Sequence, residues 1–130
     1  MASIDRKEIR QIATGNDTIF KEQTVRLVIT HQQTLQNRKD AIVRYMRAYR
    51  ETIDWMYSDP AAPKTYAEFA GITEEKAKRI RDNYFPKSVL NPDQIVGLDL
   101  IMPEAVNLKF ISAPLTKEQL AELIQIPPRN

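Results

Sequence analysis

The sequence predicts a mainly α protein with two short strands close to its beginning. Three observations lead there. TVRLVIT, residues 24 to 30, alternates with period two. From Ile42 onward, apolar residues recur at helical spacing of three and four. Caps, prolines and glycines then cut the rest into a run of short helices.

The first expected strand is EIRQIAT, carrying Ile9, Ile12 and Ala13. It stops at Thr14-Gly15-Asn16-Asp17, a turn-forming quartet in which Gly15 can take positive φ. In the second, Val25, Leu27 and Ile29 alternate with Arg26, Val28 and Thr30. Asn37 is placed to cap the first long helix, with Asp40 three residues on. Ile42, Met46, Tyr49, Ile53 and Met56 form its apolar stripe, widened by Tyr45, Ala48 and Trp55. Arg44, Arg47, Arg50, Glu51 and Asp54 fall largely outside it, and Arg50 and Asp54 stand at i,i+4. Asp59-Pro60 and Pro63 stop the helix.

A short helix, roughly Lys64 to Phe69, ends before Gly71. Thr73 caps the next, with Glu74 and Glu75 in its first turn, Ala77, Ile80 and Tyr84 on its buried side, and Pro86 as terminator. Asn91-Pro92-Asp93-Gln94 reads as another helix start, with Leu90 and Ile95 as staple. Pro103 is expected to kink or split that helix. Thr116 to Gln119 is a capping box before Leu120, Leu123 and Ile124, and Pro127-Pro128 is expected to end the order. Residues 1–130 thus read as one domain or a fragment of one, with strand segments at 8–31 and a helical array at 37–126. A lone pair of strands is marginal, so these two belong to a larger sheet or a partner chain.

Composition limits the chemistry. The chain is 42% hydrophobic and 28% charged, with a net charge of only +2, which gives no reason to expect nucleic acid or anionic lipid as a partner. The absence of cysteine removes disulfides, thiolate metal sites and cysteine nucleophiles. His31 is the only histidine, and no serine lies in a G-x-S-x-G turn. The three glycines, at 15, 71 and 97, are isolated, so no phosphate-cradling loop exists. Glu74/Glu75 and Glu118/Glu122 are explained by helix starts and exposed faces. The expectation is a non-enzyme without cofactor or metal.

RYMRAYRETIDWMYSDP, residues 44 to 60, mixes aromatics and arginines. Single-strand binding needs exposed rings beside the cations. Here the rings sit with the aliphatic stripe, so the expectation is core packing with a solvated arginine face. A rival is a small helical interaction or helix-turn-helix module built on YAEFAGITEEKAKRI. Its second helix opens with Glu74 and Glu75, which phosphates repel.

The order of the pieces is similar to something specific. TVRLVIT leads into NRKDAIVRYMRAYRETIDWMYSDP, then YAEFAGITEEKAKRI, NPDQIVGLDLIMPEAVNLKFI and PLTKEQLAELIQIP. This resembles the C-terminal part of the periplasmic solute-binding proteins of ABC importers, the nitrate, sulfonate, taurine and thiamine-precursor-like family. Arg38, Ala41, Ile42, Val43, Arg44, Tyr45, Arg47, Ala48, Asp54, Trp55, Asp59 and Pro60 carry the match, which runs over about residues 8 to 126. The resemblance implies a fragment of an α/β two-lobed type II periplasmic-binding-protein fold, whose lobes close around a small organic or oxyanionic solute.

Ligands of open α/β sheets sit beyond the carboxyl ends of strands. On the resemblance, Thr14, Gly15, Asn16 and Asp17 line that cleft. Thr14 and Asn16 supply hydrogen bonds and Asp17 a polar contact. The same four residues read equally well as an ordinary turn. The implied partners are the solute and the membrane permease of the importer, not nucleic acid; a homodimer through the unpaired strands is a further option. The family is periplasmic. MASIDRKEIRQIA has no apolar h-region, so no signal peptide is read and the chain as written is expected in the cytoplasm.

Overall fold

The structure is a computed structural model, and it describes residues 2–14, 17, 24 and 26–129, with Ala2 by its backbone alone. Among these residues the chain is mainly helical and has no strands. The seven α-helices are α1 (Ala2–Asp5), α2 (Gln32–Asn37), α3 (Lys39–Ser58), α4 (Ala62–Ala70), α5 (Glu74–Tyr84), α6 (Leu98–Asn107) and α7 (Lys117–Leu123). A 3-10 turn, Lys87–Val89, follows α5.

Neither expected strand forms. Residues 8 to 14 are irregular and exposed, and so are 26 to 30; Val25 lies outside the described residues. Alternation gives a strand its two faces, but the ladder needs a neighbour to satisfy its backbone groups. Leu27, Val28 and Ile29 are instead left open to solvent, Ile29 at 86%.

The chain divides into two compact units. One comprises residues 28–94 and 121–130. Its buried apolar side chains include Met46, Ala62, Ala67 and Ala77. Three of these four are alanines, so α4 and α5 are held by close backbone approach more than by bulky packing. Gly71 makes their hairpin possible. It takes φ +64°, and Ile72 N–H turns back to the Ala67 carbonyl at 3.0 Å. Thr73 Oγ1 then accepts from Lys76 N–H at 3.3 Å and starts α5. α4 begins earlier than expected, at Ala62, because Pro63 falls in its first turn, where a missing N–H costs nothing.

α3 begins differently from its expectation. Asn37 is the last residue of α2, and Arg38 occupies the junction. The C-terminal end of α3 is well fastened. Trp55 Nε1–H donates to Asp59 Oδ2 at 2.8 Å, and Asp59 Oδ1 accepts from Ala61 N–H at 2.8 Å. Arg81 of α5 donates to the Met56 carbonyl at 3.0 Å and lies 5.5 Å over the Tyr57 ring. A cation there complements the negative end of the helix dipole. The Tyr57 hydroxyl donates to the Phe85 carbonyl, and burial raises its pKa above the ordinary tyrosine value.

The other unit comprises residues 1–27 and 95–120. None of its described residues is fully buried. Thr24 and Val96 exchange two bonds: Thr24 N–H to the Val96 carbonyl at 3.1 Å, and Val96 N–H to Thr24 Oγ1 at 2.9 Å. α6 starts at Leu98 behind Gly97, not at Asn91. It runs through Pro103 without splitting. It ends with Lys109 at φ +60°, Lys109 N–H bonding Val106 O at 2.9 Å and Phe110 N–H bonding Ala105 O at 2.8 Å. That is a Schellman motif with lysine where glycine is usual. The Thr116 box forms as expected: Thr116 N–H donates to Gln119 Oε1 at 2.8 Å, and Gln119 N–H to Thr116 Oγ1 at 3.3 Å.

Candidate functional site

The turn expected to line a ligand cleft is partly described. Thr14 and Asp17 are exposed, and Gly15 and Asn16 lie outside the described residues. Thr14 N–H and Oγ1–H both donate to Asp17 Oδ2, at 2.6 and 2.9 Å, and Asp17 N–H returns a bond to the Thr14 carbonyl at 3.1 Å. Hydrogen bonds from the Thr14 backbone and then its hydroxyl hold the Asp17 carboxyl below its usual pKa. As found, these groups satisfy one another. A solute taking Thr14 as donor must first displace Asp17.

The long helix departs from its expected faces. Ile42, Ile53 and Met56 are half-buried and Met46 is buried, but Tyr49 is 39% exposed and Trp55 37%. The rings are not core. Trp55 is held at the rim by its bond to Asp59. Tyr45 and Tyr49 stack on each other, centroids 6.2 Å apart and planes at 9°. The residue buried in their place is Arg50, only 8% exposed. Its i,i+4 pairing with Asp54 does not form; Asp54 meets Lys87 at 2.8 Å instead.

Arg50 is the centre of the best-built polar cluster in its unit. Its Nε–H donates to Asp93 Oδ1 at 2.7 Å. Nη1 donates to the Pro128 carbonyl at 3.2 Å and Nη2 to the Pro127 carbonyl. The second oxygen of Asp93 accepts from Arg129 Nε. Burial pushes the Asp93 pKa up, but the hydrogen bonds and charges of Arg129 and Arg50 outweigh it and leave the carboxyl below its usual range. Beside the cluster lies a cleft of about 160 Å³ lined by Val43, Arg47, Arg50, Glu51, Asp54, Pro128 and Arg129.

One expectation fails beside this cluster. Asn91-Pro92-Asp93-Gln94 starts no helix: Asn91 Oδ1 accepts from Asp93 N–H at 3.0 Å, but the Asp93 side chain is drawn to the two arginines. Pro127-Pro128 lies in irregular backbone beyond α7, its two carbonyls taken by Arg50. Sequence reasoning missed Arg50, although a signal was present. It stands four residues after Met46 and three before Ile53, on the buried line itself.

His31 sits in extended conformation before α2 and makes no capping bond. Among the described residues, no group of three or more His, Cys, Asp or Glu could hold a metal ion. No helix there is long and apolar enough to cross a membrane. Comparison with protein-family models, curated proteins and solved structures gives no match.

Proposed function

We propose that the chain is a segment of an ABC-importer solute-binding protein, one that captures a small organic or oxyanionic solute for uptake. The observation that carries this reading is the ordered series from TVRLVIT through the long helix and its Asp-Pro stop to PLTKEQLAELIQIP. The apolar surface supports it. Ile12, Ile29, Phe69 and Phe110 are among the most open residues. In this reading, TVRLVIT pairs within a sheet encoded elsewhere. The half-exposed aromatics of α3 buttress that sheet in the two-lobed α/β fold. Thr14, Gly15, Asn16 and Asp17 edge the solute cleft, Thr14 exchanging its bonds to Asp17 for bonds to solute.

The test uses the complete gene product. A panel of sulfonates, nitrate, pyrimidines and aromatic acids is screened by thermal shift. The reading expects at least one to raise the Tm. The coding region upstream is expected to hold a lobe of βα units. No upstream lobe, or a salt-sensitive shift of DNA by the 130-residue chain, overturns the reading in favour of the α4–α5 hairpin as a nucleic-acid module.

A further inference from the structure

The geometry points to a cis-acting strap: residues 127–129 are an intramolecular peptide ligand of the Arg50–Asp93 pair, engaged and released as a unit over the α3 cleft. Three features of the site carry this. Arg50 reads two successive carbonyls, those of Pro127 and Pro128, with separate nitrogens. Proline fixes φ and has no N–H of its own, so those carbonyls project at a set spacing. The next residue, Arg129, closes on the second oxygen of the same carboxylate that orients Arg50 through Nε. The Pro-Pro-Arg order is therefore matched position by position: two acceptors for the buried guanidinium, then one cation for the carboxylate.

The sharing of Asp93 makes the contacts interdependent. Without its charge, Arg129 loses its bonded ion-pair partner and keeps only the charge of Asp54, and the bond that aims the Arg50 fork is no longer charge-assisted on both sides. Pro128 and Arg129 line the cleft with Val43, Arg47, Glu51 and Asp54, so strap release uncovers that stretch of α3. The side chain of Arg129 is 57% exposed, against 22% for Asp93 and 9% for Arg50. The strap end is the outer part of the site and the arginine of α3 its fixed floor.

Nitrogen-15 NMR of the arginine Nε–H groups in the full chain tests this. In Asp93→Asn, solvent exchange at both Arg50 and Arg129 is expected to rise at least tenfold. Arg81, which bonds Asp82 and Met56 independently, serves as internal control and keeps its rate. Arg129→Gln, a change at an exposed side chain that does not threaten folding, is expected to speed Arg50 exchange severalfold. Pro127→Gly with Pro128→Gly, which keeps every charge, is expected to do the same. An unchanged Arg50 rate in Arg129→Gln and in the double glycine variant overturns the strap. So does a rise at Arg81 that tracks the rise at Arg50, which is general loosening.

Discussion

Arg50 Nε and Asp93 Oδ1 are 2.7 Å apart across 43 residues of sequence. The pair joins the middle of α3 to the loop after the 3-10 turn. Arg50 is largely buried and serves three acceptors, so removing it strips them of a charged donor, typically at a cost of about 2 kcal/mol even with Arg129 still on Asp93. Arg50→Ala is therefore expected to lower the opening free energy of the slowest α3 amides by about that much. Arg44→Ala, which breaks the exposed pair with Asp40, should leave those amides unchanged. Native-state hydrogen exchange on both variants checks the contrast.

Asp93 also sets a pH dependence. Its folded pKa is depressed, so its contribution is present above the ordinary carboxylate pKa and is lost as pH falls through the lower folded value. Facing it are Arg50 and Arg129, with Asp54 and its partner Lys87 nearby. As pH falls through that depressed value, the protection of Arg50 Nε–H, taken relative to free arginine at the same pH, is expected to fall in the native chain. Asp93→Asn should lack that protection already at neutral pH and lose little more of it on acidification.

Two helix ends give opposite predictions from one backbone rule. A side chain in the left-handed region costs roughly 1–2 kcal/mol. Gly71→Ala meets nothing within 4 Å, yet φ +64° alone should destabilise the α4–α5 hairpin by about 1 kcal/mol. Lys109 already bears that strain at φ +60°, so Lys109→Gly should stabilise the end of α6 by about 1 kcal/mol. Amide exchange at Ile72 and Phe110 reads each effect.

The Thr116 box predicts a local loss. Thr116→Ala removes the acceptor for Gln119 N–H and should cost about 1 kcal/mol at the start of α7, with Thr116→Ser retaining most of it. Exchange at Gln119 and Leu120 distinguishes the two.

What was legible in the sequence follows the range of the interaction. Thr73, Gly71 and Thr116 with Gln119 act over three to five residues, and each cap stands where its pattern puts it. Asn91 shows the limit. An Asx bond to Asp93 N–H looks the same at a helix start and in a plain turn. The local pattern does not separate the two, and here the helix starts only at Leu98 while the Asp93 side chain meets Arg50 and Arg129. The long-range pair was invisible to any local pattern. On α3 an arginine is buried beside the apolar stripe, and Tyr49 and Trp55 stand at the rim. The strands failed for a related reason: alternation in TVRLVIT specifies faces and not a partner. Of the candidate ligand turn, the quartet's tendency to turn was readable, since Thr14 and Asp17 bond each other; a ligand was not.

The proposed function rests on TVRLVIT pairing in, and the half-exposed aromatics of α3 packing against, a sheet supplied by other sequence. Amide exchange at residues 26–30, compared between the 130-residue chain and the complete gene product, tests it most directly. The account predicts fast exchange in the chain alone and slowing by about a hundredfold or more in the complete protein, as strand pairing protects those amides. Equally fast exchange in both would contradict it.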